Sequence, residues 1–251
     1  MKAALIQAAK ELGFPKFSKD GKYLETYTTE DLCENLGRAE DDHANTFTAR
    51  LLLLLESRPL LGESIYRQII DEVIDPYWRD YEDRKDSFRP VFLINDIVRL
   101  WKTLCVNYEA NTERYPAEKR AKRKLTNYKL KHSRVLTCYS AVLYLMQVFS
   151  QERTERPDHL RQMVQQSPTE RLEWISSQPT FSHRPEISEI LDRYRTFLDS
   201  TDQPESDLVA LFQDSERAKQ LTHNTRSVGD AIAALLQKVG ASNELYRYLI
   251  V

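Results

Sequence analysis

The sequence contains six glycines, and no two of them stand closer than Gly13 and Gly21. A phosphate-cradling turn needs glycines a few residues apart, because only a residue without a Cβ lets backbone N–H groups close around an anion. The spacing excludes the G-x-G-x-x-G dinucleotide fingerprint and the G-x-x-x-x-G-K-[ST] phosphate loop. It also excludes the G-x-S-x-G nucleophile elbow. Any phosphate this chain binds must be met by side chains.

Apolar residues recur at helical spacing along most of the chain, so the expected fold class is mainly α: a multi-helix bundle with a small N-terminal strand-containing segment. Gly21 to Thr28 alternates around Tyr23 and Tyr27 and reads as that strand. Thr28 with Asp31, and Ser167 with Glu170, read as capping boxes opening helices. Long helices are expected from Pro90 to Tyr108 and from Leu125 to Gln151, then shorter ones including Asp207 to Leu221 and one capped by Ser227 and Asp230 that stops at Gly240. Residues 1–30 read as a small N-terminal segment, 31–151 as a helical lobe, and 152–251 as a C-terminal helical domain. Glu152 to Pro157 forms the polar joint between the last two.

The formal net charge of −2 gives no global attraction for nucleic acid. Cys33, Cys105 and Cys138 are odd in number, far apart and free of any C-x-x-C, which fits a reducing cytoplasm. Met1 to Gln7 turns polar too soon for a signal peptide, and no apolar run reaches membrane-spanning length. The five histidines show no metal-ligand spacing, so packing or surface roles are expected and no metal site is assigned. Trp78, Trp101 and Trp174 read as core anchors rather than base-stacking platforms. No catalytic residue is assigned.

Charge is concentrated between Arg114 and Arg134, where nine Lys and Arg face Glu118 alone. Such a local field attracts phosphate, although a solvated linker and helix face is the commoner meaning of a charge run alone. Within it, Asn127, Lys131 and Arg134 share a helical face, with Ser133 beside them. Asn95, Arg99 and Lys102 repeat that spacing upstream. Two packed helices presenting amides, lysines and arginine forks suit a triphosphate. A polar network joining the helices, with Arg99 or Arg134 paired to Asp96, explains the same spacing.

The segments Asp41 to Leu60, Phe92 to Lys102 and Lys129 to Arg134 resemble bacterial DUF294-type nucleotidyltransferases of the polymerase-β-like superfamily, akin to the PII-uridylyltransferase group. The resemblance spans roughly residues 10 to 150. It implies that 31–151 is the helical lobe that helps hold a nucleoside triphosphate in enzymes of that family. Their palm carries a Gly-Ser turn and metal-binding carboxylates, and here the pattern departs. None of the six glycines precedes a serine. The spaced acids Glu40/Asp42, Asp80/Glu82, Glu205/Asp207 and Asp214/Glu216 follow no Gly-Ser turn.

The resemblance therefore implies a nucleotidyltransferase-related subunit that binds nucleotide or nucleic-acid phosphate and has a palm-bearing protein partner. Magnesium and the nucleoside triphosphate would enter through that partner's palm. The alternative is a non-catalytic interaction module of a regulatory or defence complex.

Overall fold

The structure is a computed structural model that describes residues 2–14, 17, 24–110 and 117–249, without the side chains of 110, 117–119 and 215. The chain divides into two compact units, Met1–Ala49 and Arg50–Val251. Neither 30/31 nor 151/152, the boundaries expected from sequence, is the division; it falls inside a helix.

The first unit holds α1 (Lys2–Glu11), α2 (Thr29–Glu34), α3 (Ala39–His43) and the first turn of α4 (Thr46–Glu56). The Thr28 side chain accepts from Asp31 N–H at 3.1 Å, and the Asp31 carboxylate accepts from Thr28 N–H at 3.1 Å, completing the expected capping box. The Thr28 hydroxyl, which also donates to that carboxylate at 2.7 Å, and then the Thr28 N–H hold the Asp31 carboxyl below its ordinary pKa. Asn45 takes a left-handed backbone (φ 60°), a conformation asparagine tolerates, and Thr46 Oγ1 then donates to the Asp41 carboxylate at 2.7 Å. The expected strand is corrected: Leu24 to Thr28 has no regular structure, Gly21 to Tyr23 lies outside the described residues, and no strand occurs among those described. A single alternating segment has no second strand to share its ladder.

The second unit continues α4 and adds α5 (Glu63–Ile74), α6 (Val91–Ala110), α7 (Ala117–Lys129) and α8 (Val135–Glu152). There follow α9 (Pro157–Val164), α10 (Pro168–Ser177), α11 (Arg184–Thr201), α12 (Glu205–Gln213) and α13 (Ser215–Gly240). Short 3₁₀ turns cover Asp75–Tyr77, Glu82–Arg84 and Glu244–Leu249. The first of these begins where Pro76 stops α5. Among the described residues no helix is long and apolar enough to cross a membrane.

Helix α8 is the axle of this unit. Every residue from Val135 to Phe149 except Tyr139 is buried, the signature of a helix apolar on all faces. It packs against α6, α9, α10 and α13. Each buried leucine, valine or phenylalanine contributes about 1.5–3 kcal/mol relative to exposure. Trp174 lies 4.3 Å from the Tyr144 ring, and Trp101 meets Tyr139 edge-on at 6.4 Å. Trp78 is buried and donates from Nε1 to the Glu155 carbonyl at 2.8 Å. The tryptophans act as anchors, as their sequence setting suggests.

Two local expectations change. Helix α13 runs unbroken through Gly229, where Ser227 to Asp230 suggested a new start. Its cap is instead Asp214, whose Oδ1 accepts from the Glu216 and Arg217 N–H groups. The polar joint at 152–157 is not solvated throughout, since Thr154 and Glu155 are buried. Thr154 Oγ1 donates to the Lys85 carbonyl at 2.6 Å, and Glu155 N–H donates to the Phe88 carbonyl at 3.1 Å. The joint is a splint for the 75–90 connector.

Candidate phosphate-binding surface

Helix α7 carries most of the basic stretch; Arg114 and Tyr115 lie outside the described residues. Its apolar stripe Ala121, Leu125 and Tyr128 packs into a cluster with Phe197 of α11, Leu208 and Phe212 of α12, and Ala218 of α13. Burying that stripe turns Arg120, Lys122, Lys124 and Lys129 outward, because they occupy the other sides of a 3.6-residue turn. Lys122 pairs with Glu205 at 2.7 Å. Lys129 faces the same carboxylate, helping to hold it below its ordinary pKa.

Beside α7, helix α13 contributes its own cations. Lys124, Lys219, Thr222, His223 and Arg226 line an open groove of about 400 Å³ with Ala218 at its base. Lys219 pairs with Glu216 at 2.8 Å. No carboxylate pairs with Lys124, His223 or Arg226 among the described residues. Lys124 and Arg226, cations without a carboxylate partner in an open groove, concentrate counter-ions, and their field falls off over about a Debye length of 8–10 Å. Sequence periodicity did not single out the α13 members, although Lys219, Thr222, His223 and Arg226 follow helical spacing. Splitting α13 into two helices hid the stripe.

Helix α7 passes into α8 through a π-helical segment, Leu130–Arg134. His132, buried there, donates from Nδ1 to the Tyr128 carbonyl at 2.8 Å and stacks on Phe197 at 4.5 Å. Burial lowers its pKa. A π turn takes in one residue more than an α turn, which rotates the downstream helical faces by about 100°. The straight-helix stripe Asn127, Lys131, Arg134 is therefore not preserved. Lys131 is exposed, while Arg134 is half-buried and paired with Glu56, whose other carboxylate oxygen accepts from Thr137 Oγ1 at 2.7 Å. The Asn127 side-chain amide oxygen, Oδ1, is buried without a hydrogen-bond partner. Ser133 is half-buried, and its backbone carbonyl accepts from Thr137.

On α6, Asn95 and Lys102 are exposed and Arg99 is half-buried. Cys105 of α6 is raised in pKa by burial, with Lys131 acting against that shift, so the two elements run side by side there. Asp96 accepts from the Tyr77 hydroxyl at 2.7 Å, and that hydroxyl accepts from Arg50 Nε at 3.0 Å. Burial first, then Asp96, pushes the Tyr77 phenol far above its ordinary pKa. The Asp96–Tyr77–Arg50 bonds join α6 to the 75–77 turn and to α4, and the Arg134–Glu56 pair joins the π segment to α4. Among the described residues no three His, Cys, Asp or Glu side chains converge as a metal-ligand group.

The fold and surface define a class: a mainly α-helical bundle with a cationic groove between two of its helices. Compared with protein-family models, curated proteins and solved structures, the chain matches none.

Proposed function

We propose that this protein binds the phosphates of nucleic acid or nucleotide on the α7–α13 face. The observation that carries the reading is the groove where Lys124, His223 and Arg226 stand without carboxylate partners. Lys102, Asn95 and Lys131, exposed on α6 and the π segment, supply further donors for phosphate oxygens. Arg99, Asn127, Ser133 and Arg134 support those elements from half-buried positions. In line with the nucleotidyltransferase resemblance, the chain acts as the helical subunit of a transferase whose palm, magnesium and nucleoside triphosphate come through a partner protein. Lys and Arg hold and orient the phosphate chain in this reading, and no proton transfer is assigned to the subunit itself.

Binding of a labelled single-stranded oligonucleotide across a salt series tests this. Each phosphate contact contributes about 0.7 to the log–log slope for single strands. The K124A/R226A pair is expected to lower the slope by about 1.4. An unchanged slope and affinity would remove the groove from the reading.

A second reading, a protein-interaction module, draws on a different observation. Leu60, Leu61 and Ile65 are 84, 89 and 63 % exposed at the start of α5. Adjacent large apolar side chains in solvent mark docking surfaces. Partner capture lost in L60D/L61D and insensitive to salt would favour that module over the phosphate surface.

A further inference from the structure

The connector between α5 and α6 folds around a second cavity, of about 410 Å³, remote in sequence from the basic stretch. Its wall includes Arg79, Arg84, Ser87, Arg89, Phe92 and Tyr248. We propose that this cavity is a binding site for a small phosphate monoester carrying a planar ring, the chemistry of a mononucleotide.

Three guanidiniums face one acid, Asp80, in the cavity wall. Among the described residues no carboxylate pairs with Arg79 or Arg84, so both forks are available to an incoming anion. Arg89 is oriented by Glu244, yet its Nε–H is buried and has no acceptor. A planar fork with donors to spare matches two oxygens of one phosphate better than any single ammonium does. The Ser87 hydroxyl lies on the same wall as a further donor. Val91 and Phe92 open α6 on that wall, so the positive end of its dipole adds to the field.

The ring half of the ligand is argued from the aromatics. Phe92 is 57 % exposed, an unusual cost for a phenyl ring, and Arg79 lies over it at 5.4 Å. Tyr248 is on the same wall and is steadied by Arg247, which donates to its hydroxyl at 2.8 Å. A planar heterocycle stacked on Phe92 or Tyr248 covers that apolar surface while its phosphate reaches the arginines. The volume falls within the range of about 300–1,000 Å³ for small-molecule sites.

The wall is also held in shape without ligand. Phe88 N–H donates to Thr154 Oγ1 at 3.1 Å, and Trp78 and Tyr81 pack on the Phe88 ring at 5.6 and 5.5 Å. Preorganisation of this kind lowers the ordering cost of binding. The site shares no residue with the α7–α13 groove and stands or falls separately from it.

Calorimetric titration of the full chain with AMP, GMP, CMP and UMP tests the proposal, with adenosine and inorganic phosphate as the half-ligands. At least one mononucleotide is expected to bind, and more tightly than either half. Loss of each guanidinium is expected to weaken it about tenfold, so R79A/R84A falls to the level of the half-ligands. F92A weakens mononucleotide and adenosine but leaves inorganic phosphate unchanged. K124A/R226A leaves all of these affinities intact. Arg79 and Arg84 are exposed, so the double variant keeps its fold, checked by an unchanged melting temperature. No binding by any of the four mononucleotides, or equal binding by R79A/R84A, overturns the assignment.

Discussion

The Arg171 guanidinium, wholly buried, donates from Nη2 to the Leu55 carbonyl at 2.8 Å, across 116 positions of sequence. Its Nε donates to the Met163 carbonyl at 3.1 Å. Both carbonyls lie in the last turns of their helices, α4 and α9, where backbone acceptors lack intrahelical partners and the helix dipole is negative. A buried cation is thus compensated by helix ends rather than by a carboxylate. Burial first, then Arg58, still pushes its pKa down to about 10.

Arg171→Met preserves much of the volume but leaves the Leu55 carbonyl without a donor, while the Met163 carbonyl keeps the Gln166 N–H at 3.1 Å. The expected cost is about 3 kcal/mol, read as a lower urea midpoint with an unchanged slope. A midpoint within error of wild type would show that the helix ends find other donors.

Glu155 provides a pH test. No donor completes a hydrogen bond to either of its buried carboxyl oxygens, and burial, then Glu152, raises its pKa well above the ordinary 4.5. Arg156 N–H donates to His159 Nδ1, so that nitrogen carries no proton for Glu155. A carboxyl raised on folding contributes stability in full below its unfolded value and loses it as pH rises through the folded value. Glu155→Gln cannot ionise. Its urea midpoint is expected to gain on wild type as pH rises above the ordinary carboxylate value of 4.5, the window in which the unfolded chain ionises and the folded carboxyl resists. A constant difference across that window would mean that Glu155 ionises as freely folded as unfolded.

Arg134 and Lys131 separate stability from binding. Arg134→Ala removes the partner of the half-buried Glu56 and is expected to cost about 1–3 kcal/mol in chemical unfolding. Lys131→Ala is expected to stay within about 0.5 kcal/mol of wild type while weakening oligonucleotide binding. The reverse pattern would return Arg134 to the phosphate surface.

Gly240 ends α13 beneath the Tyr246 ring, and a Cβ there would stand 2.3 Å from ring carbons. Gly240→Ala is expected to displace the 3₁₀ turn Glu244–Leu249 and to cost about 1–3 kcal/mol. Differential scanning calorimetry reads it directly; an unchanged melting temperature would show that Tyr246 swings away freely.

Helical periodicity, the two capping boxes and the Gly240 stop were legible in the sequence, because each depends on residues within a turn or two of one another. So was the concentration of charge between Arg114 and Arg134. The α7 cations turn outward because Ala121, Leu125 and Tyr128 must turn in, a pattern internal to one helix. Tertiary packing decided which cations are spent. Arg134 went to Glu56, Lys122 to Glu205 and Arg89 to Glu244, pairings set by chain segments 78, 83 and 155 positions apart. It also brought α13 beside α7, making a groove from residues about 100 positions apart, and buried Glu155 in a joint whose composition is polar. Local pattern fixes a helix and its buried face, whereas the partner across that face depends on long-range packing that no short window of sequence contains.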